Sequence, residues 1–267
     1  MNNADKIILI TGASSGIGKA CFDYLTNLGH EVYGTSRNES DNEHMLQVDV
    51  TDRTSIDKTI AQILEAHNRL DVLVNNAGIS LVGSIEDTSV EEAKNIMETN
   101  FWGAFNMCQA VLPTFRQQQS GLIINISSVL GLFAIPYQSL YVASKFALEG
   151  LTESLRMEMK SFNVKACLIE PGDFRTEISE HRITTNQAKE DGAHKADFDK
   201  VHQLIINNER KGDKVIRIAK LVEKIIHKRN PKVRYTIGKP LDVLATKLKS
   251  ILPQKLFELM IMDHYKL

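Results

Sequence analysis

Short apolar runs alternate with longer stretches in which apolar residues recur every three or four positions, and this alternation sets the rhythm of the 267-residue chain. The runs Lys6–Ile10, Glu31–Thr35, Met45–Val48, Val72–Asn75, Gly121–Ser127, Val164–Ile169 and Val233–Thr236 read as strands, being brief and rich in β-branched residues. Helical periodicity between them predicts helices over Ile17–Leu28, Thr54–His67, Val90–Gln117, Tyr141–Phe162 and Asp213–His227. Strand and helix in alternation imply an α/β fold, a doubly wound seven-stranded parallel sheet in a three-layer α/β/α sandwich. Ligands of such sheets sit beyond the carboxyl ends of the strands, where the strand order reverses.

Residues from Asp173 to about Gly212 break the rhythm, being long, polar and weakly periodic. A segment of that length in a compact domain reads as a mobile substrate lid with partial helix. Beyond it, 240–267 reads as a C-terminal extension of two short helices, Leu241–Ser250 and Pro253–Leu267, within one domain spanning 1–267. Apolar residues make up 43% and charged residues 24%, the balance of a water-soluble globular chain. The net charge of −1 hides an asymmetry, because from Lys211 onward 14 Lys/Arg face 5 Asp/Glu. That basic stretch could meet an anionic membrane surface or an acidic carrier. In the final stretch, Pro253–Leu267, polar residues fall all round the helical wheel, so packing on the body or a partner subunit is favoured over membrane contact. No nucleic-acid motif accompanies it. The cysteines Cys21, Cys108 and Cys167 lie in apolar contexts without metal-ligand spacing, and the chain enters its first strand at once. Both features lead to the expectation of a cytoplasmic protein without a metal.

Candidate chemistry sits at the strand ends. The first strand runs into Thr11-Gly12-Ala13-Ser14-Ser15-Gly16-Ile17-Gly18 and then a helix. This is the context in which glycines bring backbone N–H groups to a pyrophosphate. The second strand ends in Ser36-Arg37 where an NAD site usually offers a carboxylate, which favours NADP(H), with NAD(H) left open. Farther on, Tyr141 and Lys145 are four residues apart on one helix face, and Ser128 precedes the tyrosine by thirteen. One ammonium at ~4 Å in an effective dielectric of ~20 is worth about 4 kcal/mol. That is enough to bring a phenol from about 10 to about 7, where it could act as a general acid–base.

In combination these residues resemble the classical short-chain dehydrogenases/reductases, a Rossmann-fold family. The likeness includes Asp49-Val50, Asn75-Asn76-Ala77-Gly78, Asn100, and Pro171-Gly172 with Thr176 downstream. The helix from Tyr141 to Leu155 is also similar to 17β-hydroxysteroid and retinol dehydrogenases. The resemblance implies Tyr141 as acid–base, Lys145 on the nicotinamide ribose, Ser128 on the substrate oxygen and Asn100 anchoring a water. It implies cofactor contacts from Gly12, Ser14, Ser15, Gly16, Ile17 and Gly18, and from Asp49, Val50, Asn76, Ala77 and Gly78. Pro171, Gly172 and Thr176 would border the nicotinamide. Substrate contacts are expected from Ser128, Tyr141, Leu130, Phe133, Tyr137 and Phe174, beside Val129, Leu132, Ile135 and Ile178, an apolar wall suited to a lipophilic ketone or secondary alcohol. A 3-oxoacyl carrier-protein reductase and a non-catalytic NADP(H) sensor are the alternatives. A homodimer or homotetramer is implied.

Overall fold

The computed structural model describes residues 5–176, 182–185, 188 and 192–267. The first half runs β1 (Ile7–Ile10), α1 (Gly16–Asn27), β2 (Glu31–Ser36), β3 (Met45–Gln47), α2 (Arg53–His67), β4 (Val72–Asn75) and β5 (Leu81–Val82). Then come α3 (Val90–Met97), a π-helical turn (Glu98–Trp102), α4 (Gly103–Gln118), β6 (Gly121–Ile126), a 3-10 turn (Val129–Gly131), α5 (Ser139–Glu158) and β7 (Val164–Pro171). The remainder comprises β8 (Phe174–Arg175), β9 (Ile183–Thr184), α6 (Lys195–Arg210), β10 (Asp213–Lys214), α7 (Ile216–Ile226), β11 (Arg234–Ile237), α8 (Pro240–Ile251) and α9 (Gln254–Tyr265).

Seven strands form one parallel sheet in the order β11-β7-β6-β4-β1-β2-β3. The chain therefore winds outward from β1 in one direction through β3, and in the other from β4 through β11. The crevice between the carboxyl ends of β1 and β4 is the switch point. Strand residues alternate between two cores, as the period of two requires. Ile7, Leu9, Leu73 and Ile123 pack with Met107, Val111 and Phe115 of α4 and Leu155 of α5. Ile8, Ile10, Val74 and Ile124 pack with Cys21 and Leu25 of α1 and Ile218 and Val222 of α7. Because both faces are covered, β1 and β4 are apolar runs rather than alternating ones.

Helix boundaries follow local chemistry. Asp52 caps α2 by accepting from Thr54 and Ser55 N–H, and Ser89 and Glu92 form a reciprocal capping box on α3. The sequence predicts one helix over Val90–Gln117, but the structure breaks it at the π-helical turn. The other departures lie in the polar segment after Asp173. There β8 pairs with β10, β9 pairs with β5, and α6 is a full four-turn helix. Phe198, Val201 and Ile205 bury one face of α6.

Candidate active site

At the switch point a cavity of about 800 Å³ runs from the glycine turn, past Tyr141, to α8 and α9. Its floor begins at Gly12, Ser14, Ser15, Gly16 and Ile17, and continues through Asn76, Ala77 and Gly78. The turn is built for close approach. Gly12 and Gly16 hold φ of 64° and 55°, a region side chains rarely adopt. A Cβ on Gly12 would stand 2.9 Å from Ala77 Cα, and one on Gly18 would stand 2.2 Å from Gly12 O. Gly18 thus lies beneath the turn and packs it, without lining the cavity. Thr11 Oγ1 accepts from Asn76 and Ala77 N–H at 2.9 and 3.0 Å, and Asn76 Nδ2 donates to the carbonyls of Thr11 and Gly12. Ser15 at the N-cap of α1 makes no side-chain capping bond, leaving the first amides of α1 open to an anionic ligand. The residues present therefore fit a dinucleotide pyrophosphate.

Toward β2 and β3 the wall is Ser36, Arg37 and Asn38 on one side and Asp49 and Val50 on the other. Asp49 Oδ1 accepts from Thr51 N and Oγ1 at 2.9 and 2.8 Å, which fixes its carboxylate. Glu39 and Asp41 do not line the cavity, so Arg37 is the charged side chain that β2 offers there.

Ser128, Tyr141 and Lys145 meet at the carboxyl ends of β6 and β7. Ser128 Oγ accepts from Leu130 N at 3.1 Å and donates to Pro171 O at 3.5 Å. Lys145 Nζ donates to Ile126 O at 2.9 Å and stands 5.7 Å from the Tyr141 ring centroid. The electrostatics correct the sequence reading. Burial pushes the Tyr141 phenol up to about 12, and the Ser128 hydrogen bond offsets only part of this. Burial also pulls Lys145 down to about 8, against the opposing charge of Glu149. Desolvation penalises both charged forms, so in this site the pair rests as neutral phenol and weakened ammonium.

Asn100, carried on the π-helical turn, lies behind the cavity and does not line it. Its Oδ1 accepts from Ile79 N at 2.8 Å, while Nδ2 donates to Ile79 O at 2.9 Å and Ser144 Oγ at 3.1 Å. Pro171, Gly172 and Thr176 border the cavity from the far side.

The expected substrate wall divides. Val129, Leu130, Phe133, Ile135 and Phe174 line the cavity, and Ile178 lies outside the described residues. Leu132 points away into the packing between the 129–135 loop and α8–α9. Tyr137 is a correction. It packs beside Phe198 with ring centroids 5.7 Å apart, in a cluster with Val82 and Ala188. Its φ of 61° turns the chain so that the ring faces α6 rather than the cavity. Sequence reasoning missed two groups of wall residues. Ile205 of α6, Ala245 of α8 and Met260, Ile261 and Tyr265 of α9 extend the apolar wall. Ser80, Asp173, Arg182, Glu209 and Asp242 make a polar end. Of these, only the helical spacing around Ala245 and Met260–Tyr265 was visible in the sequence.

The short chain dehydrogenase family model matches residues 6–187. Over 256 residues the chain is 42% identical to a 3-ketodihydrosphingosine reductase of Bacteroides thetaiotaomicron, covering 95% of each chain. Among solved structures, a short-chain dehydrogenase from Streptomyces avermitilis superposes with a TM-score of 0.83 at 30% identity, covering 100% of this chain and 98% of that one. ElxO with NADP bound gives a TM-score of 0.72 at 28% identity, covering 88% of this chain and 97% of its own. The glycine turn, the seven-stranded parallel sheet and these likenesses agree, and the chain belongs to the short-chain dehydrogenases, as an oxidoreductase acting on CH–OH and C=O groups.

Proposed function

We propose that this chain is an NADPH-dependent reductase of long-chain 3-keto lipids of the sphingoid type. The observation that carries the reading is the continuity of one cavity from the glycine turn, past Ser128 and Tyr141, into apolar walls drawn from the 129–135 loop, α6, α8 and α9. Such a wall suits an alkyl chain, since roughly 25 cal/mol is gained per Å² of apolar surface buried. The relative named as a 3-ketodihydrosphingosine reductase supports the choice of lipid. Arg37 at the cavity wall supports a 2′-phosphate, and ElxO is a structural neighbour solved with NADP.

The bound cofactor would supply a hydride to the carbonyl carbon. The chain's own part is to hold the carbonyl and manage one proton. Ser128 Oγ would donate to the carbonyl oxygen and fix its place. Tyr141, protonated because its phenol is held near 12, would donate its proton to that oxygen as charge develops there. Lys145, charged below about 8 and 5.7 Å from the ring centroid, would stabilise the phenolate left behind. Asn100 would position the loop after β4 through Ile79 and the start of the Lys145 turn through Ser144. We further propose a homo-oligomer built on α4 and α5, whose side of the molecule exposes Trp102, Phe146 and Met157.

The test is NADPH and NADH oxidation with a long-chain 2-amino-1-hydroxy-3-ketone, a 3-oxoacyl thioester and a steroid ketone, for wild type and Tyr141→Phe. NADPH-dependent turnover of the amino ketone, lost about 10²- to 10⁴-fold in the variant, is the expected result. Faster reduction of the thioester or the steroid would overturn the substrate assignment.

A further inference from the structure

Among the described residues, the polar end of the cavity gathers carboxylates beside two cations, and one buried donor there lacks a partner. Arg182, 3% exposed, donates from Nε to Ser80 Oγ at 3.2 Å and pairs through Nη2 with Glu209. Its Nη1 is buried and has no hydrogen-bond partner among the described residues. A guanidinium nitrogen hidden from water without an acceptor costs free energy unless something fills the gap. The side chain lines the cavity, so a ligand could be that acceptor. Around it, among the described residues, Asp173, Glu209 and Asp242 line the same end with Arg182 and Lys239. Two of these charges have other work. Asp242 accepts from Asp173 and Lys239 N–H at 3.2 and 3.0 Å, and Lys239 Nζ donates to Asn208 O at 3.2 Å. Burial and the neighbouring Asp242 and Glu209 hold the Asp173 carboxyl up at about 6, a strain that an added cation would relieve. The end is close to the chemistry, because the Tyr141 hydroxyl feels the charges of both Glu209 and Arg182.

We propose that Asp173, Arg182 and Glu209 form a head-group subsite for a protonated amine with a neighbouring hydroxyl, Asp173 serving as the amine's counter-ion and Arg182 Nη1 as the hydroxyl's donor. The inference rests on the sphingoid reading of the site and makes it specific. With the carbonyl between Ser128 and Tyr141, the amine and hydroxyl lie toward Asp173 and Arg182, and the alkyl chain lies along Phe133, Ile135 and Met260. A ketone of equal length without the amine leaves Asp173 without its counter-ion, and a site built for a polar partner discriminates strongly against an analogue that lacks it.

The experiment compares two ligand pairs on the whole protein. The first is turnover with NADPH of the long-chain 2-amino-1-hydroxy-3-ketone and of its des-amino analogue. The second is calorimetric binding, at NADP saturation, of a short-chain 2-amino-1,3-diol and the matching 1,3-diol without the amine. Expected are at least a tenfold preference for the amine in both, carried by KM in the first, and collapse of that preference toward unity in Asp173→Asn. Equal kcat/KM for the two ketones, or equal binding of the two diols, overturns the head-group subsite while leaving the reductase reading in place. Amine-selective binding without turnover of either ketone supports the subsite and overturns the reductase reading instead. The wild-type comparison decides the matter even if Asp173→Asn does not fold.

Discussion

Asn100 grips the backbone of Ile79 with both ends of its amide, Oδ1 on the N–H at 2.8 Å and Nδ2 on the carbonyl at 2.9 Å. The contact ties the π-helical turn to the loop that follows β4, immediately after Gly78 on the cavity floor. Asn100→Ala leaves the half-buried N–H and C=O of Ile79 without these partners, a loss below the ~1–3 kcal/mol of a fully buried unsatisfied group. Expected are a lower Tm and weaker NADPH binding together. A variant that melts earlier but binds NADPH as tightly as wild type would confine Asn100 to a structural role.

In the proposed mechanism the alkaline limb of kcat/KM for ketone reduction belongs to Lys145. Its ammonium is charged below about 8, whereas Tyr141 keeps its proton to about 12, so activity holds at neutral pH and falls as pH rises through about 8. Glu149 opposes the downward shift of Lys145. Glu149→Gln removes that charge, and the limb moves to lower pH. An unmoved limb, followed by steady-state rates between pH 6 and 10, would assign it to another group.

Arg37 selects the cofactor in this reading. Hydrogen bonds to charged groups contribute about 1.5–3 kcal/mol. Arg37→Ala is therefore expected to raise KM for NADPH about ten- to a hundredfold and to change KM for NADH little. Equal changes for both cofactors would remove Arg37 from the 2′-phosphate site.

Gly18 has no room for a methyl group, since its Cβ would fall 2.2 Å from Gly12 O. Overpacking of this kind costs about 1–3 kcal/mol. Gly18→Ala should lower Tm and weaken NADPH binding by displacing the turn above it. Gly150→Ala, where an added Cβ meets nothing within 4 Å, is the control.

Glu170 is fully buried against Thr236, whose Oγ1 donates to it at 2.6 Å, with Arg234 Nε 3.1 Å from its other oxygen. Burial raises its carboxyl to about 7. The native state thus holds a proton that the unfolded chain releases near 4.5. Stability contributed by that proton is complete below about 4.5 and declines as pH rises through about 7. Melting curves at pH 5 and pH 8 should show a decline in wild type that is smaller in Glu170→Gln.

Much of this was legible in the chain, and particular residues show where legibility stopped. Apolar runs such as Ile7–Ile10 and Val72–Asn75 announce strands because both of their faces are covered. The π-helical turn was invisible, since one extra residue within Val90–Gln117 leaves a helical pattern intact while moving Asn100 to a new face. Helix α6 hid inside a polar segment, its apolar stripe reduced to Phe198, Val201 and Ile205. Tyr137 looked like a wall residue by position, and only its positive φ turns it toward Phe198. The Tyr141–Lys145 spacing gave the contact correctly but not the acidity, because spacing carries no information about desolvation.

The family model ends at residue 187, whereas α6, α8 and α9 lie between 195 and 265. The matched span thus holds the glycine turn, Ser128, Tyr141 and Lys145 but not the three helices of the far wall. The residues proposed for hydride chemistry and dinucleotide recognition all lie within it, gathered at the ends of strands. The far wall is drawn from three helices that carry none of the residues proposed for hydride transfer. Drift in Ile205, Ala245 or Met260 can re-cut the volume offered to a substrate without touching Tyr141. In such a layout the shape offered to a substrate can change independently of the residues proposed for the chemistry.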